Sequence, residues 1–526
     1  MKIKSILLAS LLAFAVLGCQ ITDFEDNYKD PSRVSETTIE KQFTGMIFSN
    51  REYVLPSYWN YFVVLRITLN RFNQATGWVN AENQYVPGSA AISDRWGNYY
   101  SFLAQYKELQ KVYNALPEIS KQEYRVYMIA ATAYFYDHTQ KVVDLHGDIP
   151  WSKAGMLSTN GGDFSKSYAE YDKAEDIYTK MLDDLKVFAD ELRTLTVPAA
   201  IQTGFKTQDL INRGDLVMWQ KYVNSLRLRM LTRVSNAPSF SSRAKTEIKA
   251  ILDAPAVYPI VATNADNILF RIHTLGTLIS ATDFQSGLED WNGNIAGKAI
   301  VDHMVSNVDP RLPFIFEPGI SANGVYMGLD PMLNPSVQND LVGSNTLTIY
   351  NRSTFSRNQY FPGILMSASE VHLLAAEFYH LENPGKAKEH YEEAIRLSVR
   401  HYEALREMSN NNLVPAPPVA TPAAITAYLG QPAVSWDDAV SATDRLKLIS
   451  RQRWLHYNVI HPIENWADLR RLNVLGLSFW RDDSNAQSLP PSRWVYPGSE
   501  QTYNTQNYSK VQPNDNLNAK LFWMKN

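Results

Sequence analysis

The chain has 526 residues, 45% of them hydrophobic and 20% charged, which is ample material for a large core. A net charge of −4 leaves no basic excess for nucleic acid, and with Cys19 as the only cysteine no internal disulfide can form, so packing must hold the body together. Beyond the N-terminus, no segment has the uninterrupted apolar length of a transmembrane helix.

The N-terminus reads as an export signal. Lys2 and Lys4 precede an apolar run from Ile6 to Leu17 that is too short to span a bilayer, and Gly18 supplies the small residue before a cut. Residues 1–18 are therefore expected to be a cleaved signal peptide. The string Val16-Leu17-Gly18-Cys19 resembles a bacterial lipobox, which implies a diacylated thiol at Cys19; the alternative is an ordinary signal with an incidental cysteine. Two or three acyl chains anchor a protein stably where one is marginal. Residues 19–34 are polar and acidic and read as a flexible leader behind that lipid. Acidic residues soon after the cysteine resemble the surface-export signal of Bacteroidetes lipoproteins.

Helical periodicity dominates the body of the chain. From Lys121 to Leu145, the residues Tyr124, Met128, Ala131, Phe135, His138, Val142 and Leu145 recur at spacings of four and three and line one helix face. His138 on that face reads as a core or interface histidine. A loop at His146-Gly147-Asp148-Ile149-Pro150-Trp151 separates it from a second helix, about Tyr168 to Leu192, and a third runs from Leu216 to Val234. Asp253 to Gly363 breaks the rhythm with Gly, Pro, Asn and aromatics.

Between Ser369 and Arg400 two amphipathic helices flank the turn Asn383-Pro384-Gly385. Leu374, Ala375 and Phe378, then Ala387, Tyr391 and Ala394, follow the spacing of a tetratricopeptide repeat. Small residues allow the two helices to cross closely while large ones fill the adjoining holes. One such unit cannot bury its own face, so others are expected in the earlier helices. Asn411 to Val434 is proline-rich. The expected architecture is mainly α: a single domain over residues 35–526, with tetratricopeptide-like repeats chiefly in 35–240 and 365–402. A loop-rich, ligand-facing half is expected chiefly in 253–363 and 411–526.

Six segments carry a family resemblance. They are Asp94-Arg95-Trp96-Gly97-Asn98-Tyr99-Tyr100, the helix Trp219 to Arg229, Asp309-Pro310-Arg311-Leu312, Gln452-Arg453-Trp454, Glu464 to Arg471, and Pro491 to Glu500. In this order and behind a lipid cysteine, they make a chain that resembles the SusD/RagB outer-membrane nutrient-binding lipoproteins over nearly its whole mature length. The resemblance implies a SusD-like helical scaffold seated on a SusC-like TonB-dependent transporter, as a lid that captures a nutrient oligomer and passes it to the pore. Arg470, Arg471 and Arg493 have the look of structural ion-pair partners.

A pyranose offers apolar C–H faces and a rim of hydroxyls, so a glycan site needs flat aromatics and polar side chains around them. The stretch from Trp78 to Tyr85, leading into Trp96 and Asn98, offers both. So does Asp283 to Asn294, with Trp291, Asn292 and Asn294, and Tyr326 after Asn323-Gly324 is a third candidate. Trp291 is the leading platform, against a role as loop anchor; Trp96 also opens a helix and could simply cap the core.

Catalytic motifs do not assemble. Gly293 to Lys298 imitates a phosphate loop but is one residue short and lacks the hydroxyl after the lysine. Asp290-x-Asn292-x-Asn294 starts like a calcium loop, yet Ile295 stands at its glycine and Val301 at its bidentate glutamate. Acidic pairs such as Asp183-Asp184 and Glu392-Glu393 fall on solvated helix faces. The expected function is non-catalytic capture of oligosaccharide at the outer surface of an outer membrane, without metal or cofactor. Peptide binding of the RagB kind, or a module that only stabilises the transporter, are the alternatives.

Overall fold

The computed structural model describes residues 37–524. The signal peptide, Cys19 and the leader lie outside the described residues. The helices that position the rest are α1 (Ile39–Ser49), α2 (Ser89–Asn114), α3 (Arg125–His146), α4 (Ala174–Leu192), α5 (Ala199–Gln208) and α6 (Leu216–Val234). They continue with α7 (Ser241–Asp253), α8 (Phe284–Glu289), α9 (Ala368–Glu382), α10 (Pro384–Glu407), α11 (Ala442–Tyr457) and α12 (Pro462–Leu472). Neighbouring helices pack in pairs, α1 on α2, α2 on α3, α4 on α6, α6 on α7 and α9 on α10, which is the stacking that the repeat spacing predicts.

The α9–α10 hairpin turns on one residue. Ser367 caps α9 by accepting from the Glu370 N–H, Asn383 caps α10 by accepting from the Lys386 N–H, and Pro384 occupies the first helical position, where a missing N–H costs nothing. Ala375, Ala387 and Ala394 are fully buried in the hairpin and its surroundings, as the small-residue spacing requires.

Helix α3 differs from its reading as a one-faced amphipath. A short helix, Glu118–Glu123, precedes it, the two meet at Tyr124, and from Val126 onward every residue of α3 is buried. Its charged side chains Asp137, Lys141 and Asp144 are in the interior because they are paired there: Asp137 bonds Arg229 at 3.0 Å and Lys141 at 2.9 Å, and Asp144 accepts from the Tyr178 hydroxyl at 2.7 Å. His138 is a core residue, set edge-on to Phe102 and Tyr134. Helix α4 begins at Ala174, later than its periodicity suggests, since Tyr171–Asp172 (β2) pairs antiparallel with Ile149–Pro150 (β1) and the Asp148 carboxylate caps the Ala174 N–H at 2.8 Å.

A set of buried guanidinium groups joins the helices. Arg229 of α6 reaches Asp137 on α3, Glu370 on α9 at 2.5 Å and the Leu365 carbonyl. Arg453 of α11 and Arg471 of α12 share Glu377 of α9 and Asp468 of α12, while Arg233 of α6 bonds Asp144, Glu464 and Asp468. Arg471 is therefore an ion-pair residue, and Arg493 approaches Asp515 at 3.5 Å. Arg470 corrects the expectation: it donates to the Ser492 and Asp144 backbone carbonyls and lies over the Trp466 ring at 3.5 Å. With no carboxylate bonded to it, burial pulls this group down to about 9.

The remaining half is a web of short ribbons. Ile268–Phe270 (β3) pairs with Gly363–Met366 (β6), and Phe316–Glu317 (β4) with Ile349–Tyr350 (β5), all antiparallel. The region 411–526, read as mostly loops, also supplies α11 and α12 to the helical scaffold. Their apolar stripe is interrupted by Gln452, Arg453, Glu464, Asp468 and Arg471, which are buried through ion pairs and hydrogen bonds.

Candidate ligand-binding site

One ribbon gathers most of the candidate loops. The Gly77 N–H donates to the Ile295 carbonyl at 2.9 Å, Thr76 bridges Ala296, and Gly297 bridges Leu329, so the segments that carry Trp78, Trp291 and Tyr326 are tied to a common seam. The seam needs a glycine: a β-carbon at position 297 would stand 2.3 Å from the Gln74 carbonyl oxygen. Gly297→Ala is therefore expected to force these backbones apart and cost about 1–3 kcal/mol, as overpacking does. Thermal denaturation checks it, and an unchanged midpoint would show that the seam can yield.

Beside the seam, Trp59–Leu65 forms a π-helix, whose wider turn is rare and recurs at functional sites. Tyr58 and Phe62 stack at 4.8 Å with an interplanar angle of 14°, and the Arg66 guanidinium covers Phe62 at 4.1 Å. Helix α8 packs on this turn through Gly287, where an added β-carbon would meet the Ser57 carbonyl at 3.0 Å, and through Phe284, whose ring lies 4.6 Å from that of Tyr61.

The chain after α8 then reverses sharply. Trp291 and Asn292 both adopt left-handed backbone, each with φ 56°, a strained conformation for a tryptophan. The reversal turns the Trp291 ring outward, 83% exposed. Arg66 arches over the same turn so closely that a β-carbon at Gly293 would lie 2.8 Å from its Cδ. Partial burial lowers the Arg66 pKa, and the nearby Tyr58 and Asp290 oppose that shift. Glu289 is held by Arg357 at 2.8 Å and by the Ser356 hydroxyl at 2.6 Å, which fixes the base of the turn.

The other candidates divide. Asp283 is exposed just ahead of α8 and Asn292 is exposed beside Trp291, whereas Asn294 is buried and its carbonyl accepts from the Tyr350 N–H at 2.8 Å. Trp78 is half-buried under the Arg71 guanidinium, which also donates to the Gln84 carbonyl. Tyr326 is half-buried against the core. Trp96 is buried, its indole N–H donating to Glu500 at 3.2 Å and its ring packed among Tyr100, His146 and Tyr496; Asn98 lies half-buried on the same helix, α2. The structure thus brings Trp78, Trp291 and Tyr326 onto connected loops and puts Trp96 inside. Sequence reasoning passed over Tyr58, Trp59, Phe62 and Arg66. The cluster Tyr58-Trp59-Asn60-Tyr61-Phe62 was the available signal, and Trp59 is 53% exposed.

A stacked helical scaffold whose loop face carries outward aromatics and adjoining guanidinium groups defines a binding protein. Residues 36–497 match the family model for SusD-like proteins, described as starch-binding and associating with the outer membrane, and the chain belongs to this family. Solved structures share the fold. A chitin-binding protein superposes with a TM-score of 0.73 at 22% identity, covering 92% of this chain and 100% of its own. A SusD homologue from Bacteroides fragilis gives 0.69 at 20% identity, with 93% and 100% covered. One from Parabacteroides distasonis gives 0.72 at 19%, with 93% and 98% covered. No curated protein sequence matches the chain significantly. Among the described residues, no helix is long and apolar enough to cross a membrane.

Proposed function

We propose that this chain is a lipid-anchored receptor, acylated at Cys19, that faces the cell exterior and captures oligosaccharides for a SusC-like TonB-dependent transporter. The observation that carries the reading is Trp291, an indole turned to solvent by a strained turn packed against Arg66, which itself lies over the Tyr58–Phe62 stack. A strained backbone with an apolar ring in water is worth its cost where the ring has a ligand to meet. Sugar C–H faces would stack on Trp291, with Asn292 and Arg66 serving the hydroxyl rim, and Asp283, Trp78 and Tyr326 on the connected segments extending the face. The family's starch-binding description and the chitin-binding structural neighbour support a glycan as the ligand. No step of this function breaks a bond: capture and handover need only binding groups.

Calorimetric titration with starch-derived, chitin-derived and peptide oligomers tests the proposal. Trp291→Ala is expected to weaken glycan binding about tenfold or more, equivalent to about 1.4 kcal/mol, and to leave thermal stability unchanged because the ring is exposed. Heat from peptides alone would move the chain to the RagB-like alternative. No heat from any oligomer, with a transporter complex that still forms, would make it a stabilising module. Mass spectrometry of the exported protein checks the acyl group on Cys19.

A further inference from the structure

Strand β3 is buried throughout and ends at Phe270; in the three residues that follow, Ile272 stays buried while Arg271 and His273 are both exposed. The cleft they line is shared with the end of α5 and the loop after it. That loop is built around Asp209. Its buried carboxylate accepts from the N–H groups of Ile211, Asn212 and Gly214 at 2.9, 3.1 and 2.9 Å and from the Trp219 indole at 2.7 Å. The fastening holds Arg213 in left-handed backbone, φ 52°, and packs Gly214 so tightly on α5 that a β-carbon there would come within 2.8 Å of the Lys206 backbone. Arg213 is thus presented by a rigid, strained loop.

The resulting cleft encloses about 630 Å³, within the range of small-molecule sites. Lys206, Arg213, Arg271 and His273 line it together with the apolar Phe48 and Leu278. Among the described residues, none of these four basic side chains makes a hydrogen bond or ion pair. The carboxylate on the wall, Asp209, is already saturated by its loop. Desolvation by the cleft walls and then Arg213 lower the Arg271 pKa, and desolvation and then both arginines lower that of His273, which keeps the imidazole neutral while the two arginines weigh on one another with no described carboxylate bonded to either. In a chain of net charge −4, three cations, Lys206, Arg213 and Arg271, that no described carboxylate pairs, in a concave site with an apolar wall, call for an anion.

We propose that this cleft is a second binding site, separate from the Trp291 face, for an acidic saccharide: carboxylate or sulfate groups paired by Arg213 and Arg271, and a C–H face laid against Phe48 and Leu278. Arginine is suited to this because its planar fork meets such oxyanions with two parallel hydrogen bonds.

Titration calorimetry on the full chain tests it with four probes: a trigalacturonate, a sulfated disaccharide, neutral maltotriose and phosphatidylglycerol vesicles. At least one acidic sugar should bind, and binding should weaken sharply between about 50 and 500 mM salt, where screening shortens from well over 10 Å to a few Å. Arg271→Gln and Arg213→Gln should each lower that affinity about tenfold or more with unchanged melting curves, since both side chains are exposed. Trp291→Ala should bind the acidic probe as the parent does, which separates failure here from failure of the glycan face. Silence toward both acidic sugars, undiminished binding in both arginine variants, or binding to the vesicles alone would each overturn the proposal.

Discussion

Replacing Arg229 by methionine is expected to destabilise the protein by about 3–5 kcal/mol, the cost of stranding a buried charge. Arg229 is wholly interior and satisfies Glu370 through two nitrogens, Asp137 through a third, and the Leu365 carbonyl besides. Methionine fills much of the volume but returns none of these bonds. Asp137 would keep Lys141 and the Tyr222 hydroxyl, so the loss falls mainly on Glu370, which would be left in the core without its cation. The double variant Arg229→Met, Glu370→Gln should therefore lose less than the sum of the two single changes, since the second removes the orphaned charge. Urea denaturation of all four proteins measures this coupling. A cost below about 1 kcal/mol for Arg229→Met would mean that the clamp contributes little beyond its packing.

Acid should unfold the protein well above the range in which carboxylates titrate. His138, His146, His401, His456 and His461 are all buried, and burial holds each below its ordinary range, with His401 at about 4. Neighbouring cations add to the effect: Lys141 on His138, Arg493 on His146, Arg229 on His461. His456 shows what neutrality is for, since its two ring nitrogens hydrogen-bond the Ser367 and Ser398 hydroxyls at 2.8 and 2.9 Å. In the unfolded chain these rings take up protons near pH 6.5, so below that pH the unfolded state binds more protons and stability falls with pH. Each contributes about 1.4 kcal/mol per pH unit once fully in that window. Asp144, raised by burial to about 6, works the other way between its folded value and the ordinary carboxylate range and offsets one histidine. The buried histidines outnumber the carboxylates that burial raises, Asp144 and Asp209, so the net effect is a stability that falls as pH drops below about 6. Melting temperatures should be level above pH 7 and drop steeply from pH 6 to 5; a flat profile through that range would contradict the account.

The sequence shows its scaffold better than its site. Leu216 to Val234 and the hairpin around Asn383 stand in the structure nearly where periodicity puts them, because their apolar spacing and caps are local signals. Helix α3 hides its burial: Asp137, Lys141 and Asp144 look like a solvated side until Arg229 and Tyr178, far away in the chain, are known to pair with the two carboxylates. Trp96 and Trp291 look alike in sequence, each next to Asn and Gly, and only tertiary packing separates a ring bonded to Glu500 from one standing in water. Tyr58 to Arg66 escaped notice because a π-helix matches neither the helical nor the strand period, so its aromatics fall into no recognisable stripe.

The arginine clamps also bear on how this architecture can change over time. In an ordinary solenoid each unit touches only its neighbours, so lineages can lengthen or shorten the array one module at a time. Here Arg229 reaches 141 positions along the chain to Glu370, and Arg233 reaches 231 positions to Glu464. Excising a module that carries one of these partners would strand a charge in another, so the clamped modules are kept or lost together, and diversification is left chiefly to the loops at the rim.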